Sequence, residues 1–421
     1  MAGNKSYIRS MDSIISLLHS YHTFINHDIK DRFFKHSDLL KVLEKLKSNP
    51  LYEVREVGTS FEGRSLNLIK CGSGPVKVFL WSQMHGNEAT ATMALMDFFN
   101  FLEDKSTFDV ENSILQNCTL YILPMVNPDG AEVFERRNAQ EIDINRDFHS
   151  QTSPEAKVLR ELRDEIQPDF GFNLHDQTTM WSAGNLGNPA TISLLAPAYD
   201  EALSVNSVRQ KAMQVIAEMN ETLQKVIPGH VGRFDDEYEM RAFGDNFQAA
   251  GTSTILIEAG GYADDPEKQH IRKLVFLSIC RGLLSIGDKT FLQKTTENYF
   301  TIPDNKLHHF QILLRNCKLK RENGKLNHDG QKEPEKEYSV DIGLIAKETV
   351  SEDLKTMNYT YIVGDIGDLS NRFGYKDSNC ESFRLIQTKK AKFEEPADLV
   401  LMNGVEVLLA IENGVITNSS L

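Results

Sequence analysis

Cysteine is scarce in this sequence, and its distribution excludes the two structural roles that cysteine most often has. The 421 residues include five cysteines, an odd number, and none of them forms a C-x-x-C pair. A disulfide framework uses an even, clustered set of cysteines, and a cysteine zinc site uses closely spaced pairs. We therefore expect neither a disulfide framework nor a cysteine-bound metal.

Long apolar runs and a surplus of basic residues are also absent. No stretch approaches the roughly 18 consecutive apolar residues that a membrane span requires, and the first residues show no secretory apolar core. We therefore expect a cytoplasmic protein without a membrane partner, although a leader removed before Met1 would leave no trace. The 46 basic and 60 acidic side chains give a net charge of −14. This balance argues against nucleic acid as the main partner, because phosphates require a basic face.

Apolar residues recur in patterns that are typical of an α/β protein. Short apolar runs bounded by turn residues predict strands at 66–71, 76–81, 120–126, 170–174 and 254–257. Periodic apolar positions predict long helices between and after them, at 89–102, 154–166 and 267–286. Strands that alternate with long helices predict a mixed parallel and antiparallel sheet with helices on both faces.

The character of the sequence changes after about residue 297. Asn-Gly and Asp-Gly pairs, which favour tight hairpin turns, occur at 323–324, 329–330, 403–404 and 413–414. We therefore predict an α/β domain with an N-terminal helical extension over residues 1–296 and a smaller β-rich accessory domain over residues 297–421. The charged stretch 321–337 is predicted to be an exposed loop within the accessory domain.

The first candidate site lies between a predicted strand and a predicted helix. His85-Gly86-Asn87-Glu88 follows the run 76–81, and α/β folds build sites where strands end. An imidazole and a carboxylate three residues apart can supply two ligands of a tetrahedral metal ion. The same pair can equally cap the helix or hydrogen-bond to each other.

His175 and Glu258 each lie at the end of a further apolar strand run. His175 would complete a set of three protein ligands, the number that a catalytic zinc ion usually takes. Glu258 would suit a general base beside a metal-bound water. Taken singly, a hydrogen-bonded structural histidine and an ion-paired glutamate are the ordinary alternatives.

An arginine-containing segment supplies candidate substrate contacts. Arginine binds carboxylates through two parallel hydrogen bonds, and a neighbouring asparagine adds orientation without a competing charge. Asn145 and Arg146 therefore suit a substrate carboxylate, and Arg136 or Arg137 could stabilise an oxyanion. Solvated arginines and a loop salt bridge are the alternatives.

As a set, these motifs resemble the zinc metallocarboxypeptidases of the carboxypeptidase A superfamily, in the form that carries H-G-N-E. The motifs that follow one another in that family's order and approximate spacing are His85-x-x-Glu88, Asn127-Pro-Asp-Gly130, Asp143-Ile-Asn-Arg146, His175 and Glu258. The resemblance extends over residues 32–286. It implies the family's catalytic fold for this region.

The resemblance also implies a role for each matching residue. His85, Glu88 and His175 would hold one zinc ion per chain, with Glu258 as the base that activates water. Asn145 and Arg146 would clamp the substrate's C-terminal carboxylate. Arg136 matches the family's oxyanion arginine better than Arg137 does. Tyr238 is a candidate for the tyrosine that covers the bound substrate.

The implied activity is hydrolysis of the last peptide bond of a peptide with a free C-terminal carboxylate. The alternative is a zinc-dependent deacylase or amidase that acts on N-acyl amino acids or cell-wall peptides, since H-G-N-E occurs in that branch as well. Phe243 in the side-chain pocket would favour apolar C-terminal residues, whereas Asp245 there would favour Lys or Arg. The sequence does not decide between these two, and it does not indicate the oligomeric state.

Overall fold

The computed structural model describes residues 14–104, 108–321, 336–387 and 389–421. The chain divides into two compact units, Met1–Lys306 and Leu307–Leu421. The short helix Thr296–Phe300 belongs to the first unit, because Tyr299 is buried in that unit's core. The predicted boundary after residue 296 stays a prediction, and most of the predicted loop 321–337 lies outside the described residues.

The first unit is built around a mixed sheet. Its strands are β1 (Glu53–Thr59), β2 (Ser65–Cys71), β3 (Val76–Ser82), β4 (Cys118–Leu123), β5 (Phe170–Asp176), β6 (Trp181–Ala183), β7 (Ile192–Leu195), β8 (Val231–Arg233), β9 (Ser253–Ala259) and β10 (Asn305–Leu307). Eight of them form one sheet in the order β1-β2-β4-β3-β5-β9-β7-β8, while β6 pairs with β10. The central strands β4, β3, β5 and β9 are parallel, and β2 and β7 join them antiparallel. The predicted mixed sheet is confirmed.

Helices cover both faces of this sheet. They are α1 (14–20), α2 (His36–Lys47), α3 (Thr90–Glu103), α4 (Phe108–Asn117), α5 (Pro128–Val133), α6 (Pro154–Ile166), α7 (Ser207–Val226), α8 (Phe243–Ala249), α9 (Gln269–Asp288) and α10 (Thr296–Phe300). Single 3-10 turns occupy Tyr21–Thr23, Ile144–Arg146 and Thr290–Gln293. None of the helices within the described ranges is both long and apolar enough to cross a bilayer.

Strand β3 shows why the sheet needs helices on both sides. Successive side chains of a strand point to opposite faces. Val78 and Leu80 are buried in the core cluster that includes α3 and α9, whereas Phe79 and Trp81 are buried in the cluster that includes α6 and α8. The four consecutive apolar residues Val78–Trp81 are therefore buried only because helices cover both faces of the strand.

Helix α6 begins and ends where the sequence predicts. Ser153 is the N-cap and its side chain accepts a hydrogen bond from the backbone N–H of Ala156, while Pro154 occupies the first turn. Proline suits that position because its missing N–H would have no partner there. Gln167 ends the helix in a left-handed conformation, which is a common C-terminal geometry.

The second unit consists of β-strands, which confirms the predicted β-rich region. They are β11 (His309–Arg321), β12 (Lys336–Val350), β13 (Met357–Gly367), β14 (Phe373–Asn379), β15 (Arg384–Gln387), β16 (Leu399–Asn403), β17 (Glu406–Glu412) and β18 (Val415–Ser419). They form two four-stranded sheets, in the orders β13-β12-β11-β14 and β15-β16-β17-β18. Asn413 and Gly414 both have positive φ between β17 and β18, as a tight hairpin turn requires.

Candidate active site

Three neighbouring parallel strands bring the predicted site residues to one edge of the sheet. The turn that carries His85 and Glu88 follows β3, His175 lies near the end of β5, and Glu258 lies near the end of β9. His175 and Glu258 are direct neighbours in the β5–β9 register. Parallel strands place their carboxyl ends at the same edge, so side chains that are distant in sequence meet there.

The turn after β3 is held against the turn that begins α5. Asn127 caps α5 by accepting a hydrogen bond from the N–H of Gly130 at 2.9 Å. Gly86 approaches this turn so closely that a Cβ atom at Gly86 would lie 2.1 Å from the carbonyl carbon of Gly130. The absence of a side chain at Gly86 therefore allows backbone contact between the two turns, and this contact positions His85 and Glu88.

His85, Glu88 and His175 form a compact buried cluster. The Nδ1 atom of His85 lies 2.7 Å from Oε1 of Glu88, and Nδ1 of His175 lies 2.6 Å from Oε2 of the same carboxylate. Potential ligand atoms of the three residues all lie within 4.8 Å of one another. Each side chain is less than a tenth exposed. The predicted ligand set is therefore assembled in one place.

The second nitrogen of His85 is oriented by Asp143. His85 Nε2 lies 3.1 Å from Oδ1 of Asp143, whose Oδ2 accepts hydrogen bonds from Arg136 at 2.9 and 3.1 Å. A carboxylate on the far nitrogen of a histidine fixes the ring and leaves the near nitrogen to bind a metal. The sequence analysis gave Asp143 no role of its own, although it lies within the Asp143–Arg146 motif.

The chemistry of this donor set fits a zinc ion. Zinc in catalytic sites takes imidazole nitrogens and a carboxylate as its three protein ligands. Burial alone would raise the pKa of Glu88, but the two imidazoles beside it hold that pKa well below its usual value. Glu88 therefore remains an anion in a buried position, as a cation site requires.

Glu258 faces the same cluster from β9. Its side-chain atom Oε2 is buried and has no hydrogen-bond partner among the described residues. Burial, together with the charges of Glu88 and Asp176, holds the pKa of Glu258 well above its usual value. A nearby cation would favour the charged form, so this carboxyl group is placed to take and return a proton.

The structure distinguishes the two neighbouring arginines. Arg136 Nη1 lies 3.2 Å from Nδ1 of His85 and 3.3 Å from Oε1 of Glu88. Arg137 instead donates a hydrogen bond to the backbone oxygen of Glu141 and does not line the cavity beside the cluster. Of the two candidates for oxyanion stabilisation, only Arg136 reaches the site.

Asn145 and Arg146 line the cavity that opens beside the cluster, which has a volume of about 320 Å³. The N–H of Phe243 donates to Oδ1 of Asn145 at 2.9 Å, which fixes the orientation of the amide. Arg146 Nε lies 3.0 Å from Oε2 of Glu239, and its side chain is 37% exposed. The guanidinium group thus remains within reach of a bound carboxylate.

One segment of the cavity wall, within residues 235–245, is strongly acidic. Its acidic residues are Asp235, Asp236, Glu237, Glu239 and Asp245. Asp245 Oδ1 accepts a hydrogen bond from the N–H of Glu239, and burial raises the pKa of Asp245 to about 7. Asp245 is therefore both a turn cap and part of the cavity wall.

Unlike Asp245, Phe243 and Tyr238 do not line the cavity. Phe243 is fully buried and packs against Phe148 and Phe247, with ring centroids 5.3 and 5.7 Å away. It does not line the cavity. Tyr238 is half-buried and is likewise not part of the cavity wall. Its role as the covering tyrosine stays a prediction.

Two charged residues near the site were missed by sequence reasoning. Asp176 follows His175, and Lys268 lies in the loop before α9; their side chains are paired at 3.1 Å. A carboxylate next to a predicted ligand is a weak local signal for Asp176. Lys268 has no such signal, because only the fold brings its loop to the strand ends.

The family profile for zinc carboxypeptidases matches residues 39–182 of this chain. This match includes His85, Glu88 and His175 and ends before Glu258. Carboxypeptidase B from Astacus astacus is 25% identical over 179 residues, which represent 40% of this chain and 52% of the crayfish protein. Carboxypeptidase Z from Homo sapiens is 31% identical over 149 residues, or 29% of this chain and 22% of that protein. The chain thus spans about half of one relative and less of the other.

Two solved structures are also similar. A metallo-carboxypeptidase from Burkholderia cenocepacia has 18% sequence identity and a TM-score of 0.48, with 61% of this chain and 70% of that chain covered. Carboxypeptidase A from Helicoverpa armigera has 17% identity and a TM-score of 0.48, with coverage of 69% and 81%.

Proposed function

We propose that the protein is a zinc-dependent metallocarboxypeptidase, because the family profile for zinc carboxypeptidases matches residues 39–182. It would hydrolyse the last peptide bond of peptides that have a free C-terminal carboxylate. The observation that carries the proposal is the buried cluster of His85, Glu88 and His175, which shares one cavity with Glu258 and Arg136. The deacylase or amidase alternative is not favoured, because the relatives named above are carboxypeptidases.

His85, Glu88 and His175 would hold the zinc ion. When bound, zinc polarises a carbonyl group and lowers the pKa of water toward about 7. Asp143 keeps the His85 ring in place through Nε2, so that Nδ1 points to the ligand position. Support for this assignment is the donor set itself, two imidazoles and a carboxylate that are all buried.

Glu258 would act as the general base and acid. Oε2 has no hydrogen-bond partner among the described residues, so it would be available to accept a proton from the attacking water and later to donate it to the leaving amine. Arg136 would stabilise the negative charge that develops on the carbonyl oxygen, because its Nη1 atom lies at the cluster. A positioned donor of this kind acts strongly in a water-poor site.

Asn145 and Arg146 would bind the C-terminal carboxylate of the substrate. Both line the cavity, and Arg146 keeps part of its side chain accessible. Binding at this point would require a free carboxylate next to the scissile bond. It would therefore restrict hydrolysis to the last residue.

We further propose that the enzyme prefers Lys or Arg as the residue it removes. Asp245 lines the cavity and Phe243 does not, and the other acidic lining residues named above add further carboxylates. A buried carboxylate that pairs with a substrate cation is worth about 1.5–3 kcal/mol as a charge-assisted hydrogen bond. An apolar C-terminal residue would leave Asp245 without this partner.

The proposal is tested by measuring metal content together with amino-acid release. The purified protein is expected to contain one zinc ion per chain and to release free Lys and Arg from a peptide pool that varies at the C-terminus. A chelator should abolish the release and added zinc should restore it. A zinc-loaded protein that releases no amino acid from the pool would contradict the carboxypeptidase assignment, and release of apolar residues alone would contradict the proposed preference.

The same assay distinguishes a deacylase or amidase activity from a carboxypeptidase activity. N-acyl amino acids and cell-wall peptides serve as the second substrate set, analysed by liquid chromatography under the same conditions. Hydrolysis of this set without release from the peptide pool would assign the protein to the deacylase or amidase class.

A further inference from the structure

We propose that Lys268 is a positioning residue that holds the strand ends carrying His175 and Glu258 in their working arrangement. The proposal deepens the function proposed above and rests on it. Lys268 has no place in the ligand set, the base or the carboxylate clamp. It is nevertheless the one lysine among the described residues that is almost fully buried, with 5% of its surface exposed.

The Lys268 ammonium group bridges β5 and β9 beside the site. Nζ donates one hydrogen bond to the backbone oxygen of Ala259 at 3.0 Å and another to Oδ2 of Asp176 at 3.1 Å. Ala259 directly follows Glu258, and Asp176 directly follows His175. One side chain therefore ties the residue after the proposed base to the residue after a proposed ligand.

Asp176 extends this connection to the third element of the site. Its Oδ2 also accepts a hydrogen bond from Thr90 Oγ1 at 2.6 Å, and its backbone N–H donates to Oε2 of Glu88 at 3.2 Å. Thr90 is the first residue of α3, two positions after Glu88. The pair of Lys268 and Asp176 thus contacts three segments of the site. The first carries His85 and Glu88, the second carries His175, and the third carries Glu258.

The backbone of Lys268 has an unusual conformation, which is consistent with a specific role for its side chain. It has φ of +50° immediately before α9, a conformation that non-glycine residues adopt at a cost. Asp265 holds the following turn by accepting hydrogen bonds from the N–H groups of Gln269, His270 and Ile271. Asp265 therefore fixes the loop that carries Lys268 to the start of α9. The lysine side chain extends from this loop to the ends of β5 and β9.

Charge gives the second reason for a cation at this point. Glu88, Asp176 and Glu258 are three buried carboxyl groups in close proximity, and a buried charge is costly unless it is paired. A bound zinc ion would balance the charge of Glu88, while Lys268 pairs with Asp176. Lys268 therefore offsets part of the repulsion between the carboxyl groups of Asp176 and Glu258.

The test compares the wild-type chain with a double variant, Asp176→Asn with Lys268→Met, which removes the pair without leaving one partner charged and buried. At saturating zinc we expect kcat to fall about 10- to 100-fold, as for other outer partners of metal ligands, with KM within about twofold. The conservative variant Lys268→Arg should recover part of kcat. Unchanged kcat in the double variant would overturn the proposal.

A matched control removes another buried ion pair of the same unit. Arg281 and Glu218 are paired in the core, with 1% and 0% of their side chains exposed. The double variant Glu218→Gln with Arg281→Met should lose thermal stability and keep kcat. An equal fall of kcat in both double variants would show that loss of any buried pair suffices, and would overturn a positioning role for Lys268.

A spectroscopic measurement keeps this inference separate from the proposed function. Cobalt(II) substituted for zinc reports the geometry of its ligands by visible absorption. The spectrum of the Asp176→Asn and Lys268→Met protein should differ from that of wild type, while the control pair leaves it unchanged. If the wild-type chain hydrolyses no peptide, the proposed function fails; an unaltered cobalt spectrum in the double variant would count against Lys268 in either case.

Discussion

At the residue scale, Glu258 and its neighbour Asp176 each have a buried carboxylate oxygen without a hydrogen-bond partner among the described residues. Other buried acidic residues have specific tasks: Asp143 orients His85 and Asp97 pairs with Arg272. Unpaired buried polar atoms are uncommon in folded proteins. When one faces a cluster of metal-ligand type, a role in proton transfer is the simplest reason for its presence.

Glu258→Gln should abolish turnover and leave the metal site intact. The amide has the same shape but accepts no proton, and loss of a general base lowers rates by about 10²- to 10⁴-fold. Zinc content, measured by atomic absorption, should remain at the wild-type level because Glu258 is not among the proposed ligands. Wild-type activity in this variant would exclude the assignment of the base.

Asp245 gives an expected pH dependence of substrate choice. Burial raises its pKa to about 7, so the carboxyl group is neutral below that pH and negatively charged above it. The ratio of kcat/KM for a C-terminal Lys peptide to that for a C-terminal Leu peptide should therefore rise about tenfold or more as the pH increases through 7. A pH series with matched peptides measures this ratio.

Asp245→Asn is the control for this dependence. Its side chain can still cap the turn, but it carries no charge at any pH. The Lys-to-Leu ratio should then be low and independent of pH. A ratio that still rises in the variant would place the pH dependence on another group.

At the scale of elements, the site depends on two turns that touch through their backbones. Gly86 lies in the turn after β3 and Gly130 in the first turn of α5, and no side chain fits between them. Because of this contact, the position of α5 fixes the position of His85 and Glu88, the two proposed ligands on either side of Gly86. The geometry of the ligand set is thus a property of the paired turns.

Gly86→Ala should weaken zinc binding and destabilise the first unit. The added Cβ would lie 2.1 Å from a backbone carbon of Gly130, so one of the two turns must move. Overpacking of this kind costs about 1–3 kcal/mol. Competition with a chromophoric chelator measures the zinc affinity, and thermal unfolding measures the stability.

Gly63→Ala separates these two effects. Gly63 has φ of +85° and no atom within 4 Å of the added Cβ. Alanine there should lower stability through backbone strain alone and leave zinc affinity unchanged. Equal zinc affinity in the Gly86→Ala and wild-type proteins would show that the turn contact does not position the ligands.

At the scale of the whole molecule, the chain contains two units with separate cores. The core clusters of the first unit draw their residues from its sheet and helices, whereas those of the second unit draw theirs from residues 310–421. The proposed metal ligands all belong to the first unit. Metal binding should therefore stabilise only one of the two units directly.

Calorimetry of the full chain should resolve two unfolding transitions. Separate cores favour separate cooperative units, and a ligand raises the stability of the unit that binds it. Removal of zinc by a chelator is expected to lower the Tm of one transition and leave the other in place. A single transition that shifts as a whole would show that the two units unfold together.

The sequence by itself determined those features that depend on local patterns. Apolar runs place His85, Glu88, His175 and Glu258 at or just beyond predicted strand ends, and the resemblance of the whole motif set to the zinc carboxypeptidases implied their roles. The bounds of helix 154–166 follow from the Ser153 cap and Pro154, which act within a single turn. These signals arise from interactions between residues that are close along the chain.

Tertiary structure decided the features that depend on side-chain direction and distant contacts. The chemistry of the side chains does not distinguish Arg136 from Arg137, although the family spacing favours Arg136, and in the structure only Arg136 reaches His85. Phe243 enters an aromatic core while Asp245 lines the cavity, because α8 packs one side of its first turn inward. Lys268 joins the site through contacts with residues 9 and 92 positions away. Whether a side chain faces the cavity, the core or an ion-pair partner therefore depends on how whole helices and strands pack. The free energy of burying or pairing that side chain is set by the residues that packing brings into contact with it.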